Sequence, residues 1–130
     1  MAKTTIYLIR HAEAEGNLYR RVHGWYNSLI TDNGYRQIAA LEHRFQDIHI
    51  DAVYSSDLFR TMTTARAVYA PKGLELHTDP GLREVHMGLW EDRPWGEVAR
   101  TDGERLALFN ATDDAWHPPA SGHRIPRRSR

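Results

Sequence analysis

Arg10, His11, Arg60 and Glu84 have the side-chain types from which a phosphoryl-transfer centre is built, and each sits where a regular element should begin or end. A neutral imidazole attacks phosphorus well, and a phosphohistidine splits one hard displacement into two easier ones. A dianionic phosphoryl group wants arginine forks and the N-terminus of a helix, and Arg60 is placed to offer both. A carboxylic acid such as Glu84 can protonate a departing alkoxide. Singly, each has a bland reading: a loop histidine, a solvated helix arginine, an exposed loop carboxylate. Their co-location is what gives them chemical weight.

That co-location follows from the elements around them. Ile6-Tyr7-Leu8-Ile9 is a continuous apolar run of β-forming residues, which predicts a strand buried on both faces, with Arg10-His11 at its carboxyl end. From Asp32 to Phe45 the apolar residues Tyr35, Ile38, Leu41 and Phe45 recur at helical spacing. Ala52-Val53-Tyr54 predicts a short strand, ended by Ser55-Ser56-Asp57, residues that favour helix N-caps. A helix follows with Leu58, Met62, Ala65 and Tyr69 as its stripe, which puts Arg60 in the first turn. Pro71 and Gly73 break it, Leu74 to His77 alternates as a third strand, and Asp79-Pro80-Gly81 turns away toward Glu84. Trp95 to Phe109 is helical in pattern, with Val98, Leu106 and Phe109 facing a core and Gly103 as an interruption.

Strand, helix, strand, helix, strand with short connections is the pattern of an α/β fold, because parallel strands need crossovers that usually contain helices. In such sheets ligands bind beyond the carboxyl ends of the strands. Arg10-His11, Arg60 and Glu84 are therefore expected on one rim.

The wording of the sequence around these residues resembles a known family. Leu8-Ile9-Arg10-His11-Ala12-Glu13-Ala14-Glu15-Gly16-Asn17 is similar to the opening signature of the histidine phosphatase superfamily, phosphoglycerate-mutase-like branch. Further blocks match in order: Gly24-Trp25 with Leu29 to Ala39, Tyr54 to Ala65, and Leu82-Arg83-Glu84 with Gly88, Trp90 and Glu91. The resemblance covers about residues 5 to 99. It implies a three-layer α/β/α fold with a mainly parallel sheet. It also implies His11 as phosphate-accepting nucleophile, Glu84 as acid/base, and Arg10, Asn17 and Arg60 as phosphate ligands, with His23 and Gly24 lining the substrate. Ala12 stands where the family has Gly, and its β-carbon narrows the backbone conformations open beside the nucleophile.

The resemblance further implies a second active-site His, on a later strand that follows a Gly-Glu-Ser segment and a helix. Neither appears here, and His117 and His123 sit among prolines and arginines in no strand-like context. The expectation is a C-terminally incomplete fold: residues 1–116 a partial histidine phosphatase domain, and 117–130 a basic, Pro-containing tail, disordered or non-native, from a truncated or frame-shifted family member. An open strand edge and bare apolar surface would then favour self-association.

Bulk composition narrows the class. With 130 residues, 41% hydrophobic and 26% charged, one globular domain with a real core is expected. No window approaches the ~20 apolar residues of a membrane span, and the apolar run near the N-terminus is too short for a secretory signal. A cytoplasmic protein without membrane contact is expected. The absence of cysteine removes disulfides and thiolate metal sites, and the eight histidines form no HExxH pattern, so neither metal nor cofactor is expected. Arg124, Arg127, Arg128 and Arg130 make a basic end, but without interleaved aromatics this is a poor nucleic-acid footprint. The expected reaction is hydrolysis of a small phosphorylated metabolite through phosphorylated His11. Phosphoglycerate mutase is the enzymatic alternative, and an inactive domain that binds phosphorylated ligands is the rival from another class.

Overall fold

In the computed structural model, residues 2–119 are described. A four-residue helix α1 (Glu15–Leu18) follows the His11 segment, and α2 (Asp32–Phe45) occupies the range that the apolar spacing predicts. Thr31 caps α2, its Oγ1 accepting from Gly34 N at 3.0 Å, which satisfies one of the orphan donors of the first turn. Asp32 adds a negative charge where the helix dipole favours it.

β1 (Val53–Ser55) leads into α3 (Phe59–Tyr69), which crosses to β2 (Leu76–Thr78). The two strands are parallel, with Val53 opposite Leu76, Tyr54 opposite His77 and Ser55 opposite Thr78. Arg60, Thr64, Ala67 and Val68 are the buried residues of α3, a spacing that keeps one face against α2 and the strands. The predicted Ser/Asp cap is displaced. Leu58 is the N-cap and has no side-chain bond of its own, while Ser56 Oγ pairs with Thr61 Oγ1 at 2.6 Å and reaches Leu58 N only at 3.5 Å.

After β2 come two 3-10 turns, Pro80–Leu82 and Gly88–Trp90, and then α4 (Trp95–Thr101) and α5 (Gly103–Asn110), with the expected interruption falling at Asp102 and Gly103. The main core is Val22, Met87, Trp90 and Val98, flanked by Trp95, Leu106, Phe109 and Trp116. Trp90 is 2% exposed, and its indole N–H donates to Asp102 at 3.0 Å, so the largest buried ring keeps its polar handle satisfied. A second cluster joins Ala12, Ala14 and Ile30 to Ile38 of α2.

The parallel α/β reading stands, with two corrections. The buried face of α3 is Arg60, Thr64, Ala67 and Val68 in place of the predicted stripe, of which Met62 is 37% exposed. Ile6 to Ile9 is not a strand: Ile6 is 76% and Leu8 94% exposed, and no ladder includes them. A strand requires a neighbour for its N–H and C=O groups; the described residues supply side-chain cover, such as the edge contact between the rings of Tyr7 and Phe45 at 5.4 Å, but no backbone partner. The segment therefore has no strand partner among the described residues. Of the expected tail, Pro119 is buried and its carbonyl accepts from Leu89 N at 3.0 Å; residues 120–130, with His123 and the four terminal arginines, lie outside the described residues.

Candidate active site

His11 reaches its position without a strand, because the loop behind it is stitched on both sides. Glu15 N donates to Leu29 O at 2.8 Å and Thr31 N to Glu13 O at 3.1 Å, and Ala14 bridges antiparallel to Ile30. Ala12, the departure from the family's Gly, is 5% exposed and packs with Ala14 and Ile30. Its N–H donates to Thr64 Oγ1 at 2.8 Å, and that hydroxyl donates to Arg60 O at 2.7 Å. One threonine thus ties the His11 loop to the first turns of α3.

The imidazole of His11 is oriented by its own loop. A ring nitrogen, Nδ1, lies 2.7 Å from Ala12 O, and since a carbonyl can only accept, Nδ1 carries the proton. The lone pair is then on Nε2. Burial lowers the pKa of His11 from its ordinary value, partly countered by the Ala12 bond, and the positive charges of Arg60 and Arg10 lower it further. A ring held neutral with Nε2 free is the nucleophilic form.

Arg60 is 2% exposed. Its two terminal nitrogens donate to Tyr26 O at 2.8 Å and Gly24 O at 2.7 Å, while Nε, also buried, has no partner among the described residues. Loss of water lowers its proton affinity, opposed by Glu84 and Glu91, but a guanidinium stays charged. Part of the fork is therefore spent on holding the Gly24 loop. That loop needs its glycine: Gly24 has φ +52, and a β-carbon would fall 2.5 Å from Glu91 Oε2.

His23 presents its ring edgewise to His11, with centroids 5.7 Å apart. It sits so close to Gly16 that a β-carbon there would be 1.9 Å from His23 Nε2, a buried atom with no hydrogen-bond partner among the described residues. Burial first, and then the charges of Arg60 and His11, push its pKa down to about 4. Glu84 is exposed at the end of the loop after β2, and its charge acts on His11, His23 and Arg60. Trp25 holds its backbone, Nε1 donating to Glu84 O at 2.8 Å, and the neighbouring Arg83 forks onto Asp57 and lies 4.8 Å above the Trp25 ring.

Arg10 is exposed, and its charge reaches His11. Asn17 uses its Oδ1 to accept from Ala14 N at 3.0 Å, closing the turn that opens α1. The structure thus gathers His11, His23, Gly24, Arg60 and Glu84 around one centre, with Arg10 and Asn17 on its margin. Two cavities adjoin them. One of about 280 Å³ is lined by Arg10, His11 and Thr64, and one of about 460 Å³ by Asn17, His23, Gly24 and Glu84.

Two residues had no role assigned from the sequence. Thr64 lies one turn after Arg60, so the i, i+4 rule places both on one face of α3 and was the available signal. Glu91 receives Trp25 N at 2.9 Å and Met87 N at 3.0 Å on a single oxygen, joining the Gly24 loop to the segment after Glu84. Its contacts are 66 and 4 residues away, and no local pattern announces the first.

Among the described residues, no three His, Asp or Glu side chains group as metal ligands, and no helix is long and apolar enough to cross a membrane.

Comparison with known proteins gives the family and the fold. The sequence profile of the histidine phosphatase superfamily (branch 1) matches residues 6–128. The probable phosphoglycerate mutase GpmB of Yersinia pestis (strain Pestoides F) is 37% identical over 114 residues, covering 87% of this chain and 53% of that protein. Among solved structures, the alpha-ribazole phosphatase from Shigella flexneri superposes with a TM-score of 0.76 at 29% identity, covering 85% of this chain and 55% of that one. A mycobacterial glucosyl-3-phosphoglycerate phosphatase in complex with VO3 gives 0.72 at 28% identity, covering 83% and 53%. The chain thus spans about half the length of the curated relatives it matches. With signature residues, parallel fold and sequence profile in agreement, the chain belongs to branch 1 of the histidine phosphatase superfamily.

Proposed function

We propose that the site hydrolyses phosphate monoesters of small metabolites through a phosphohistidine on His11. The observation that carries this reading is the Nδ1–H to Ala12 O bond, which leaves Nε2 as a free lone pair beside the cations Arg10 and Arg60. In the first step Nε2 bonds to phosphorus, the ester P–O bond breaks, and the alkoxide takes a proton from the Glu84 carboxyl. In the second, water attacks the phosphohistidine, Glu84 takes the water proton, and His11 leaves as neutral imidazole with inorganic phosphate. Arg10 and the N–H groups that Arg60 has left stabilise the charge that spreads over the equatorial oxygens.

His11→Ala should abolish both turnover and an acid-labile phosphoenzyme trapped by rapid quench from a labelled ester; undiminished turnover would remove His11 from the reaction. Glu84→Gln should depress hydrolysis of alkyl phosphates far more than of an activated aryl phosphate, since only a high-pKa alkoxide needs a proton in the transition state. Equal losses on both substrates would make Glu84 a structural residue.

A second reading, phosphoglycerate mutase, is favoured by the name of the Yersinia pestis relative. With 3-phosphoglycerate the two part cleanly. Release of inorganic phosphate supports the hydrolase, and relocation of the phosphoryl group without release supports the mutase. Tight vanadate binding with neither outcome would make the domain a binder of phosphorylated ligands.

A further inference from the structure

The cavity of about 460 Å³ lies within the ~300–1,000 Å³ of small-molecule sites, and most of its wall is not accounted for by the phosphoryl chemistry. Its lining includes His23, Gly24 and Glu84. His23 is common to both centres, since its ring also lies 5.7 Å from that of His11. The rest of the lining is largely apolar: Val22, Met87, Trp95 and Phe109, with the rings of Trp95 and Phe109 stacked at 6.2 Å and 23°. Such a wall has nothing to offer a phosphate or a small polar alcohol. It suits a ring or a branched apolar body, whose burial it would reward.

Arg20 and Arg21 also line this cavity, and they are not equivalent. Arg21 is already engaged, donating to Asp92 O at 2.6 Å with the Asp92 carboxylate 3.9 Å away. The guanidinium of Arg20 has no hydrogen-bond or ion-pair partner among the described residues, although its backbone is firmly held. Arg20 has φ +53, and its carbonyl accepts from Trp95 N at 2.9 Å. A left-handed conformation in a residue other than glycine persists only where the surroundings enforce it, and such positions cluster at ligand sites. A single free fork matches a carboxylate, while a second dianionic phosphate would ask for more than one available cation.

We infer that this cavity receives the alcohol portion of the substrate, and that it selects phosphate monoesters with an aromatic or branched apolar body that ends in a carboxylate. Val22, Met87, Trp95 and Phe109 hold the body, Arg20 reads the carboxylate, and the phosphoryl end passes His23 to reach His11. The inference rests on the phosphatase reading for its direction, but the cavity can be tested without turnover.

The experiment compares kcat/KM for ethyl phosphate, phenethyl phosphate and para-carboxyphenethyl phosphate, three esters with similar primary alkoxide leaving groups. The wild type should prefer them in increasing order. Arg20→Gly should lower the preference for the carboxylated over the plain phenethyl ester about tenfold, the scale of one charge-assisted hydrogen bond. Its melting temperature should not fall, because glycine accepts the positive φ. Trp95→Leu, which keeps apolar volume and removes the ring, should lower the preference for phenethyl over ethyl phosphate by a similar factor. Unchanged preferences in both variants, each folded by circular dichroism, would overturn the assignment. In parallel, calorimetry with para-carboxyphenethyl alcohol should show binding to the wild type and its loss in Arg20→Gly. If the wild type hydrolyses none of the esters, the phosphatase reading fails. The calorimetry then decides the cavity by itself, with no binding of the alcohol overturning it.

Discussion

At the residue scale, His11 and His23 are shifted in the same direction for related reasons. Both lose water, and both face the positive charge of Arg60. Glu84 opposes this in each case without reversing it. The sign of the consequence is fixed by linkage. The unfolded chain protonates these rings near the ordinary histidine value of 6.5, whereas folded His23 resists until about 4. Their contribution to stability is therefore complete above about pH 6.5 and is lost as the pH falls toward 4. The melting temperature should decline through that window, and His23→Gln should flatten the decline relative to wild type. Parallel curves for the two chains would show that His23 is not the group responsible. For His11 the same shift bears on rate. If the neutral ring is the nucleophile, the acidic limb of kcat/KM should lie below the ordinary histidine range, and a limb at or above it would contradict the environment described here. These residues were legible as candidates because they lie in motifs that resemble the family's, His11 in the opening signature and His23 beside Gly24-Trp25. The missing partner of His23 Nε2 was not, since it depends on the ring being pressed against Gly16.

At the scale of elements, α3 carries the connection between the His11 loop and the Gly24 loop. Thr64 serves the first and Arg60 the second, one turn apart. Thr64→Val preserves shape and removes the acceptor, leaving the Ala12 N–H buried and unpaired. That should cost about 1–3 kcal/mol, read from denaturant midpoints, with a loss of turnover as the His11 loop loosens. A change below the error of the measurement would mean that water replaces the hydroxyl. Arg60→Lys keeps the charge but cannot span the Tyr26 and Gly24 carbonyls, so affinity for vanadate should drop by at least tenfold, about 1.4 kcal/mol. Full affinity in this variant would rule out the fork as the feature that matters. The elements themselves were mostly readable. α2 agrees with its apolar spacing because Ile38 meets the Ala12 cluster and Phe45 is buried, although Tyr35 at the start of the stripe is 50% exposed. The start of α3 was read less well. Ser56 spends its hydroxyl on Thr61, so the residue type that favours a cap was present but occupied elsewhere.

At the scale of the whole molecule, residues 6–9 stand out, since they make no backbone hydrogen bond among the described residues and their large side chains are exposed. An unpaired extended segment with an apolar face is a template for pairing. The 130-residue chain should therefore self-associate in a concentration-dependent way by sedimentation velocity, and Leu8→Lys should weaken that association. A monomer at all concentrations would show that exposure of this segment carries no such penalty. The same segment marks the boundary between the two sources of information. The sequence by itself determined the order of α2, β1, α3 and β2 and their parallel crossover, because these depend on local periodicity, and it carried the family resemblance, with the candidate site residues that it implies, in motifs along the chain. Tertiary structure decided three other things. It left Ile6 to Ile9 without a strand, because pairing depends on what lies alongside and not on β propensity. It turned two of Arg60's nitrogens onto backbone carbonyls and drew Glu91 between distant loops, because hydrogen-bond partners are chosen by proximity in space. It also placed Arg20, without a side-chain partner among the described residues, in one cavity wall with Trp95 and Phe109, an adjacency that no spacing along the chain encodes.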